Sequence, residues 1–279
     1  MTEVLDSRGI DAWRAAERGT VALVPTMGAL HDGHRRLIAR AHEMADAVAV
    51  SIFVNPLQFG PGEDFERYPR DLEADRAICR ADGVDAIFAP ELHEMYPREP
   101  EVTVSAGRMG AVFEGAARPG HFDGVLTVVA KLFQRVQPDV AVFGQKDVQQ
   151  LALVERLVAD LDLGVRIESV PIVRDDDGLA LSSRNRYLST TEREIALLLP
   201  RALDAARAEP TAQQAQDAAR RTLTDAEHRH PEFSLDYATL VERATFTECP
   251  PDFRGEAVLV LAARVGATRL IDNATLAFV

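Results

Sequence analysis

Short runs of apolar and β-branched residues recur over the first 170 positions of the chain and predict buried strands. They are continuous rather than alternating, which is typical of strands that are covered on both faces. The runs are Val21–Val24, Val48–Val54, Asp85–Phe88, Val140–Phe143 and Val165–Val170.

Helical patterns separate these runs. The clearest places apolar residues at Val125, Val128, Val129, Leu132, Phe133 and Val136. That spacing lines one face of a helix, which is expected to pack on the sheet. Strands that alternate with helices imply right-handed crossovers and a parallel sheet. We therefore predict an α/β fold with a Rossmann-like, doubly wound parallel sheet whose ligand crevice lies beyond the carboxyl ends of the strands.

The pattern changes after Val173. Asp175–Gly178 has the composition of a tight turn. Two alanine-rich helical stretches follow, at about 190–208 and 211–229, and Pro210 separates them.

The last part of the chain is β-like. Runs at 235–241, 256–265 and 269–272 predict a small antiparallel sheet. We place a domain boundary near residue 172. The first domain, residues 1–172, is then Rossmann-like, and residues 173–279 form a smaller α+β C-terminal domain.

The composition is that of a globular protein. With 279 residues, of which 47% are hydrophobic and 27% charged, the chain can bury a core. Its net charge of -13 argues against broad binding to nucleic-acid phosphates. No signal-like segment opens the chain and no stretch approaches the ~18 apolar residues of a membrane span, so we expect a cytoplasmic protein with no membrane partner. Cys79 and Cys249 belong to no C-x-x-C pair, and we interpret both as ordinary thiols.

A turn rich in glycine and histidine, Pro25–His34, follows the first predicted strand and opens a helix. A helix N-terminus offers unpaired N–H groups and the positive end of a dipole, which favour anions. Gly28 and Gly33 permit a close backbone approach, and His31 and His34 can donate hydrogen bonds to phosphate oxygens. The segment therefore predicts an anion-binding turn.

Two other interpretations of the histidines remain open. They can simply cap the helix, with the glycines serving the turn. They can also belong to a zinc site, although no third ligand stands at metal spacing.

A second polar segment, Asn55–Phe59, follows the strand that ends at Val54. The Asn55-Pro56 pair starts a turn and holds Asn55 extended, so the amides of Asn55 and Gln58 are expected at the mouth of the crevice. Amides suit hydroxyl and carboxylate groups. An ordinary turn that ends a strand is the alternative.

A third segment, Phe143–Gln150, repeats the order of strand, glycine, polar cluster and helix. Lys146 places a cation where the strand ends. Asp147 and Gln150 also have the spacing of a capping box, in which side chains satisfy backbone donors rather than a ligand. That alternative leaves Lys146 unexplained.

A fourth segment, Leu181–Arg186, combines two hydroxyl and two guanidinium groups just beyond the proposed boundary. Such a loop can close on a triphosphate, or it is a solvated basic turn. Between the second and third segments, Glu114 and Arg118 are either a helix-surface ion pair or part of the crevice wall.

Together, and in this order, these segments closely resemble the pantothenate synthetase family. His31-Asp-Gly-His34 alone indicates only the broader nucleotidyltransferase superfamily. The resemblance narrows to one family with NPLQF at 55–59, ARPGHFDG at 117–124, FGQKDVQQ at 143–150 and LSSRNRYL at 181–188. It runs from about Val21 to Leu188.

The resemblance implies an ATP-dependent ligase that condenses pantoate with β-alanine. In that reaction the pantoate carboxylate attacks the α-phosphorus of ATP, which gives pantoyl adenylate and pyrophosphate, and the β-alanine amine then displaces AMP. The implied partners are pantoate, β-alanine and ATP with Mg²⁺, and the implied assembly is a homodimer. The smaller domain is expected to act as a lid.

The resemblance also implies residue roles. The implied catalytic residues are His34, as a proton donor, His31 and Lys146. The implied pantoate and β-alanine residues are Gln58, Gln150 and Asn55, the last in support of the same pocket. The implied ATP site consists of Met27, Gly28, Ala29, Leu30, His31, Asp32, Gly33, His34, Gly144, Gln145, Lys146, Asp147, Val173, Leu181, Ser182, Ser183 and Arg184.

Within the ATP site, Gly144 and Asp147 would meet the ribose, Lys146 the phosphates, and the Val173 backbone the adenine. The family's acidic residues near the metal fall around Asp71 and Asp75. Because Ala74 stands between acidic positions here, the metal ligands stay unassigned.

Three departures from the family pattern lie in the same segments. Leu181 stands where methionine is commoner, Val148 replaces an aromatic residue, and Gln145 replaces a frequent glutamate. None removes a charged or hydroxyl group that the chemistry needs, but they are expected to affect adenine packing or affinity.

Overall fold

Six strands form the sheet of the first part of the chain, in a computed structural model that describes residues 2–279. They are β1 (Glu3–Leu5), β2 (Val21–Thr26), β3 (Ala47–Ile52), β4 (Ala86–Phe88), β5 (Val140–Gly144) and β6 (Arg166–Val170). All pairings between neighbours are parallel, in the order β1-β4-β3-β2-β5-β6. The order reverses between β2 and β5, and a crevice is expected beyond the carboxyl ends of the strands at such a reversal.

Helices connect these strands and cover the sheet. They are α1 (Ser7–Ala16), α2 (Asp32–Met44), α3 (Leu72–Ala81), α4 (Leu92–Met95), α5 (Glu114–Ala117), α6 (His121–Val136) and α7 (Val148–Asp160). Ile38 of α2 and Cys79 of α3 share a buried cluster with Val24 of β2. The alternate strand residues, such as Leu23 and Phe88, are buried as well. Since α6 contacts β2 and α1 contacts β4, helices cover both faces and the predicted doubly wound sheet is confirmed.

The C-terminal part of the chain is an antiparallel sheet with helices. Its elements are α8 (Thr190–Ala196), α9 (Leu198–Arg207), α10 (Ala212–Arg229), β7 (Phe233–Glu242), β8 (Thr247–Glu248), β9 (Gly255–Val265) and β10 (Thr268–Phe278). The strand order is β10-β9-β7-β8, and all pairings are antiparallel. Leu203 of α9 and Leu223 of α10 are fully buried in one cluster with Leu240 and Leu259 of the sheet. This cluster is the core of an α+β unit, as predicted.

The chain divides into two compact units by its internal contacts. The first unit comprises the described residues up to Gln145 together with Gln150–Pro171, and the second comprises Lys146–Gln149 and Ile172–Val279. No helix within residues 2–279 has the length and apolar composition needed to cross a membrane. Both cysteines are free thiols, and burial raises the pKa of Cys79 to about 12 and that of Cys249 to about 11.

The helical stretch predicted at about 190–208 is confirmed, but it is not continuous. Two helices occupy this stretch, and they meet at Leu197. Pro200 explains the break, because it has no N–H to donate to the carbonyl of Ala196 and is tolerated only in the first turn of a helix. At the other end of the chain, β1 and α1 had no counterpart in the prediction.

Candidate active site

The turn between β2 and α2 has an unusual backbone conformation. Gly28 and Ala29 have φ values of 82° and 53°, and left-handed backbone is uncommon for alanine. The carboxylate of Asp75, in the first turn of α3, holds the turn in place. Its Oδ2 accepts a hydrogen bond from the Ala29 N–H at 3.0 Å, and its Oδ1 accepts one from the Leu30 N–H at 2.7 Å. A side chain on Gly28 would lie 2.7 Å from the same carboxylate, so glycine is required there.

Asp75 is 3% exposed. Burial raises the pKa of its carboxyl group, while the hydrogen bonds from Leu30 and Ala29 oppose that rise. Asp71 also binds backbone, since it caps α3 by accepting a hydrogen bond from the Ala74 N–H at 3.0 Å. No group of three or more His, Cys, Asp or Glu residues in positions 2–279 is arranged to hold a metal ion. The two acidic residues near the expected metal therefore have structural partners of their own.

His31 and His34 form a capping box at the start of α2. The Nδ1 atom of His31 accepts a hydrogen bond from the Gly33 N–H at 3.1 Å, and the Nδ1 atom of His34 accepts one from the His31 N–H at 3.3 Å. The rings lie 4.2 Å apart, centroid to centroid. A side chain on Gly33 would come within 2.9 Å of the His31 ring. The interpretation of the histidines as helix caps is thus confirmed.

The capping box also determines which ring nitrogen carries the proton. A neutral imidazole has one donor and one acceptor nitrogen, and Nδ1 of both His31 and His34 is an acceptor. Nε2 of each ring is then the N–H donor. Capping and anion binding therefore use opposite nitrogens of the same rings, and one role does not exclude the other.

Asn55 is the first residue of the polar segment that follows β3. Its side chain is fully buried and donates hydrogen bonds to Gln58 Oε1 at 3.1 Å and to the Gly124 carbonyl at 3.0 Å. It accepts one from the Tyr96 hydroxyl at 2.9 Å. The expectation that Asn55 presents its amide at the crevice mouth is therefore wrong. It instead holds Gln58, whose Nε2 lies 3.1 Å from the sulfur of Met27.

A network of polar side chains around Arg118, which was not predicted from the sequence, binds the backbone of Gln58. Arg118 donates to both carboxylate oxygens of Glu63, at 2.8 and 2.6 Å, and lies 3.7 Å from Glu114. Its Nη2 and the Nδ1 of His121 both donate to the Gln58 carbonyl, at 3.2 and 2.8 Å. The Arg118 side chain is only 16% exposed. Glu114 and Arg118 are thus part of a largely buried network rather than an ordinary surface pair.

The charge states within this network follow from burial and from the partners. Burial, with a smaller contribution from Arg118, lowers the pKa of His121 to about 4, so the ring is neutral at pH 7. Its Nε2 lies 3.0 Å from Arg118 Nη1 and must accept, which leaves the proton on Nδ1. Burial raises the pKa of Glu63, but the hydrogen bond and charge of Arg118, together with smaller contributions from its neighbours, outweigh burial, and the net shift of this pKa is downward.

We expect His121 to make the fold sensitive to acid. Its folded-state pKa of about 4 lies below the unfolded value of 6.5, so between these values the unfolded chain binds a proton that the folded chain does not. Stability therefore falls as the pH falls through this window. Between pH 7 and pH 5 the loss due to this residue is about 2 kcal/mol.

Urea unfolding at the two pH values measures this loss. His121→Asn, whose amide can still donate to the Gln58 carbonyl, is expected to lose that part of the pH dependence. An equal decrease in stability for the parent chain and the variant would contradict the assignment.

The turn after β5 lies partly in each unit. Gly144 is the last residue of the strand, and the side chain of Gln145 donates to the Ser169 hydroxyl at 3.0 Å. Lys146 and Asp147 complete a 3-10 turn and belong to the second unit. Asp147 directly precedes α7, the position predicted for a cap, and Gln150 lies in the first turn of that helix.

In the second unit, the segment from Val173 to Leu181 folds back on itself. The Val173 carbonyl accepts a hydrogen bond from the Leu181 N–H at 2.9 Å. Gly178 has a φ of 93°, and the tight turn predicted at Asp175–Gly178 is confirmed. We call residues 173–181 the hairpin.

The hairpin leads into the fourth segment. Ser182 caps the 3-10 helix Ser183–Tyr187 by accepting a hydrogen bond from the Arg184 N–H at 3.3 Å. The side chain of Asn185 donates to the Ala180 carbonyl at 3.0 Å. These contacts restrict the backbone conformation of the segment that carries Ser182, Ser183 and Arg184.

Comparisons with known proteins agree with the geometry. A family model described as pantoate-beta-alanine ligase matches residues 2–275. A pantothenate synthetase from Acidothermus cellulolyticus is 59% identical over 269 residues, which cover 94% of this chain and 87% of that protein. The crystal structure of pantothenate synthetase from Thermus thermophilus superposes with a TM-score of 0.90 at 47% identity, over 98% of both chains.

A pantoate-beta-alanine ligase from Francisella tularensis, solved in complex with beta-gamma ATP and beta-alanine, has a TM-score of 0.80 at 32% identity. The match covers 98% of this chain and 97% of that one. The likeness therefore extends over both units of the chain.

Proposed function

The chain belongs to the pantoate–β-alanine ligase family, and on this premise we propose that the Met27–His34 turn binds ATP and that Gln58 binds pantoate. The enzyme is a ligase that forms a C–N bond. It condenses pantoate with β-alanine at the expense of ATP, and the products are pantothenate, AMP and pyrophosphate.

The reaction has two steps. A carboxylate oxygen of pantoate attacks the α-phosphorus of ATP, the bond to the bridging oxygen breaks, and pyrophosphate leaves. The amine of β-alanine then attacks the carbonyl carbon of pantoyl adenylate, loses a proton and displaces AMP. A carboxylate is already a competent nucleophile, so most of the acceleration is expected from placing two anions in line and neutralising their charge.

The capping box of His31 and His34 is the observation that carries the proposal. It directs Nδ1 of each ring to the backbone and leaves Nε2 as the N–H donor, at the positive end of α2. Donors held in place before the reaction stabilise developing phosphate charge without the cost of reorganisation. Donation from His34 Nε2 to the phosphates is therefore its proposed role in catalysis, and His31 assists it.

Pantoate is proposed to bind beside the side chain of Gln58, with Gln150 as a second amide. Gln58 is held from three directions, because its amide contacts Asn55 and Met27 while its carbonyl accepts from His121. Amides fixed in this way suit the hydroxyl and carboxylate groups of pantoate. Asn55 is proposed to act through Gln58 and not on the substrate.

The remaining ATP contacts are proposed from family likeness. Gly144 and Asp147 would meet the ribose, and the Val173 backbone the adenine. Lys146 would face the phosphates. In the second unit, which we propose acts as the lid, the triphosphate residues are Ser182, Ser183 and Arg184.

Magnesium is proposed to enter as part of the substrate MgATP. The carboxylates of Asp71 and Asp75 bind backbone N–H groups, so they do not form a ready-made site for the ion. Mg²⁺ is commonly held by substrate phosphates, water and one or two carboxylates rather than by an all-protein cage. No step of the mechanism above depends on a protein ligand to the metal.

A homodimer in the cytoplasm is proposed by likeness to the family. Light scattering after gel filtration would give the mass directly. A species of twice the chain mass at micromolar concentration is expected, and a monomer at that concentration would contradict the dimer.

Oxygen-18 in the carboxylate of pantoate tests the reaction. If that carboxylate attacks phosphorus, one labelled oxygen appears in AMP for each pantothenate formed, and the pyrophosphate is unlabelled. A nucleotidyltransferase acting on a phosphorylated substrate, the chief alternative among enzymes, releases no AMP. A nucleotide-binding module without activity forms no product at all.

Gly124→Ala is expected to disturb the pantoate site. A methyl group there would lie 2.2 Å from the Leu57 carbonyl oxygen and 2.7 Å from the Gln58 nitrogen, which are backbone atoms that cannot rotate away. We expect a loss of about 1–3 kcal/mol in stability from overpacking, and a KM for pantoate that rises more than the KM for ATP, relative to the parent enzyme.

Gly164→Ala is the matched control, because no atom lies within 4 Å of the added methyl group. Steady-state kinetics and urea unfolding of both variants give the answer. A Gly124→Ala enzyme with an unchanged KM for pantoate would contradict the role of this contact.

A further inference from the structure

Two adjacent polar residues are buried in the strand β10. Asp272 is 2% exposed and Asn273 is 6% exposed. Successive residues of a strand point to opposite faces of the sheet. This pair therefore reaches groups on both sides of one strand, and neither residue is used by the mechanism described above.

Asp272 binds the hairpin. Its two carboxylate oxygens accept hydrogen bonds from Arg174 Nη1 and Nη2 at 2.7 and 2.8 Å. Oδ1 also accepts from the Asn273 N–H at 2.8 Å. Arg174 Nη1 donates in turn to the Gly178 carbonyl at 3.0 Å. Arg174, which lies in the first arm of the hairpin, thus links the strand to that arm and to the turn of the hairpin.

Asn273 binds the turn that carries Lys146. Its Nδ2 donates a hydrogen bond to the Lys146 carbonyl at 2.9 Å. The 3-10 turn Gln145–Asp147 is short, so an anchor on one of its carbonyls restricts the backbone from which the lysine side chain extends.

A purely structural role explains these contacts less well. A buried ion pair adds little net stability, since the cost of desolvation offsets the attraction, and apolar residues of similar size often serve as well. The hydrophobic core cluster of this unit consists of alanine, leucine, isoleucine, valine and phenylalanine. What the polar pair supplies is directional contact with two elements that the proposed function places around ATP.

We propose that Asp272 and Asn273 are positioning residues for ATP, through Arg174 and the hairpin in one case and through the Lys146 backbone in the other. The inference rests on the proposed function, because Lys146 and Val173 take their roles from it. Neither residue of the pair touches the substrate.

Variants of Asn273 test its contact with the Lys146 backbone. The assay is pantoate-dependent ATP–pyrophosphate exchange. Asn273→Ala is expected to lower kcat for exchange about tenfold, as a small displacement of a reacting group does, with the KM for pantoate unchanged. In a Lys146→Ala background the same substitution is expected to have no further effect, because its influence acts through the lysine. Equal losses in both backgrounds would overturn the inference for Asn273.

Variants of Asp272 test its contact with Arg174 and the hairpin. Asp272→Asn leaves Arg174 without its partner and can reduce folding, so the double variant Arg174→Met with Asp272→Leu replaces the ion pair by apolar side chains. We expect it to keep its Tm while the KM for ATP rises about tenfold, because the hairpin is no longer held in one position. If the double variant has the same KM for ATP and the same Tm as the parent enzyme, the inference for Asp272 is overturned.

Asp236→Asn is the matched control. It breaks another ion pair of the same sheet, in which Arg269 Nε lies 2.6 Å from Asp236, so Tm is expected to fall without a change in the KM for ATP. If the parent enzyme itself shows no pantoate-dependent exchange, the proposed function fails. If the parent exchanges and the variants above match it, only the positioning inference fails.

Discussion

His34→Ala is expected to slow formation of pantoyl adenylate by about 10²-fold or more, because it removes a donor to the charge that develops on the phosphates. The residue also accepts a hydrogen bond from the His31 N–H at 3.3 Å. Alanine therefore removes a catalytic donor and a helix cap at once, and this variant alone does not separate them.

Asparagine and glutamine separate the two roles of His34. The oxygen of asparagine lies near the position of Nδ1 and can keep the cap, whereas the amide nitrogen of glutamine lies near Nε2 and can keep the donor. We expect His34→Asn to keep its Tm but to be as slow as alanine in single-turnover adenylation. His34→Gln is expected to be faster than both and to lose about 1 kcal/mol of stability with the cap.

The opposite ranking would contradict the catalytic role. If His34→Asn restored adenylation to the parent rate, the histidine would act only as a cap. Quenched-flow measurement of adenylate and pyrophosphate in one turnover provides the rates, and thermal unfolding provides the stability.

Asp75→Asn is expected to impair adenylation to a similar degree, about 10²-fold, by releasing the turn that precedes the histidines. An amide has one acceptor oxygen, so its NH₂ group would face the N–H of either Ala29 or Leu30. Each buried donor left without a partner costs about 1–3 kcal/mol. The left-handed backbone at Ala29 is then no longer held, and we expect a lower Tm together with the lower rate.

A magnesium titration distinguishes this positioning role from metal binding. If Asp75 ligated Mg²⁺, excess metal would restore part of the activity and the half-saturating concentration would rise. If it holds the turn, the rate stays low at all concentrations of Mg²⁺. Asp85→Asn is the control. Asp85 directly precedes β4, and its carboxylate also accepts a hydrogen bond from a backbone N–H, that of Val48, at 2.8 Å. In this variant only the stability is expected to change.

Much of the fold was predictable from local pattern. Strands such as β2 and β5 are buried on both faces, so they appear in the sequence as continuous apolar runs. The edge strand β1 has only three residues and two of them are exposed, which gives no such signal. The interruption at Leu197 could have been predicted from Pro200. It was not predicted, because the helical pattern continues on both sides of the proline.

The site was predictable where its residues are contiguous. Gly28 to His34 form one segment with a recognisable composition, and its position at a helix start followed from the pattern. Asp75 was not predictable as the residue that holds this turn, because it lies 46 positions from Ala29. Its partners are backbone N–H groups, which carry no sequence signature.

The same reason applies to the support of Gln58. Asn55 contacts the carbonyl of Gly124, 69 positions away, and His121 contacts the carbonyl of Gln58, 63 positions away. The ARPGHFDG segment contains both His121 and Gly124, so the sequence indicated where to look. It did not indicate that one residue is a neutral buried donor and the other a point of close backbone contact.

Exchange of labelled pyrophosphate into ATP, without β-alanine, tests the central mechanism most directly. Reversible formation of pantoyl adenylate predicts exchange that requires pantoate, continues when β-alanine is absent, and falls by about 10²-fold in His34→Ala. Exchange that proceeds without pantoate, or pantothenate formation with no exchange under any condition, would contradict it.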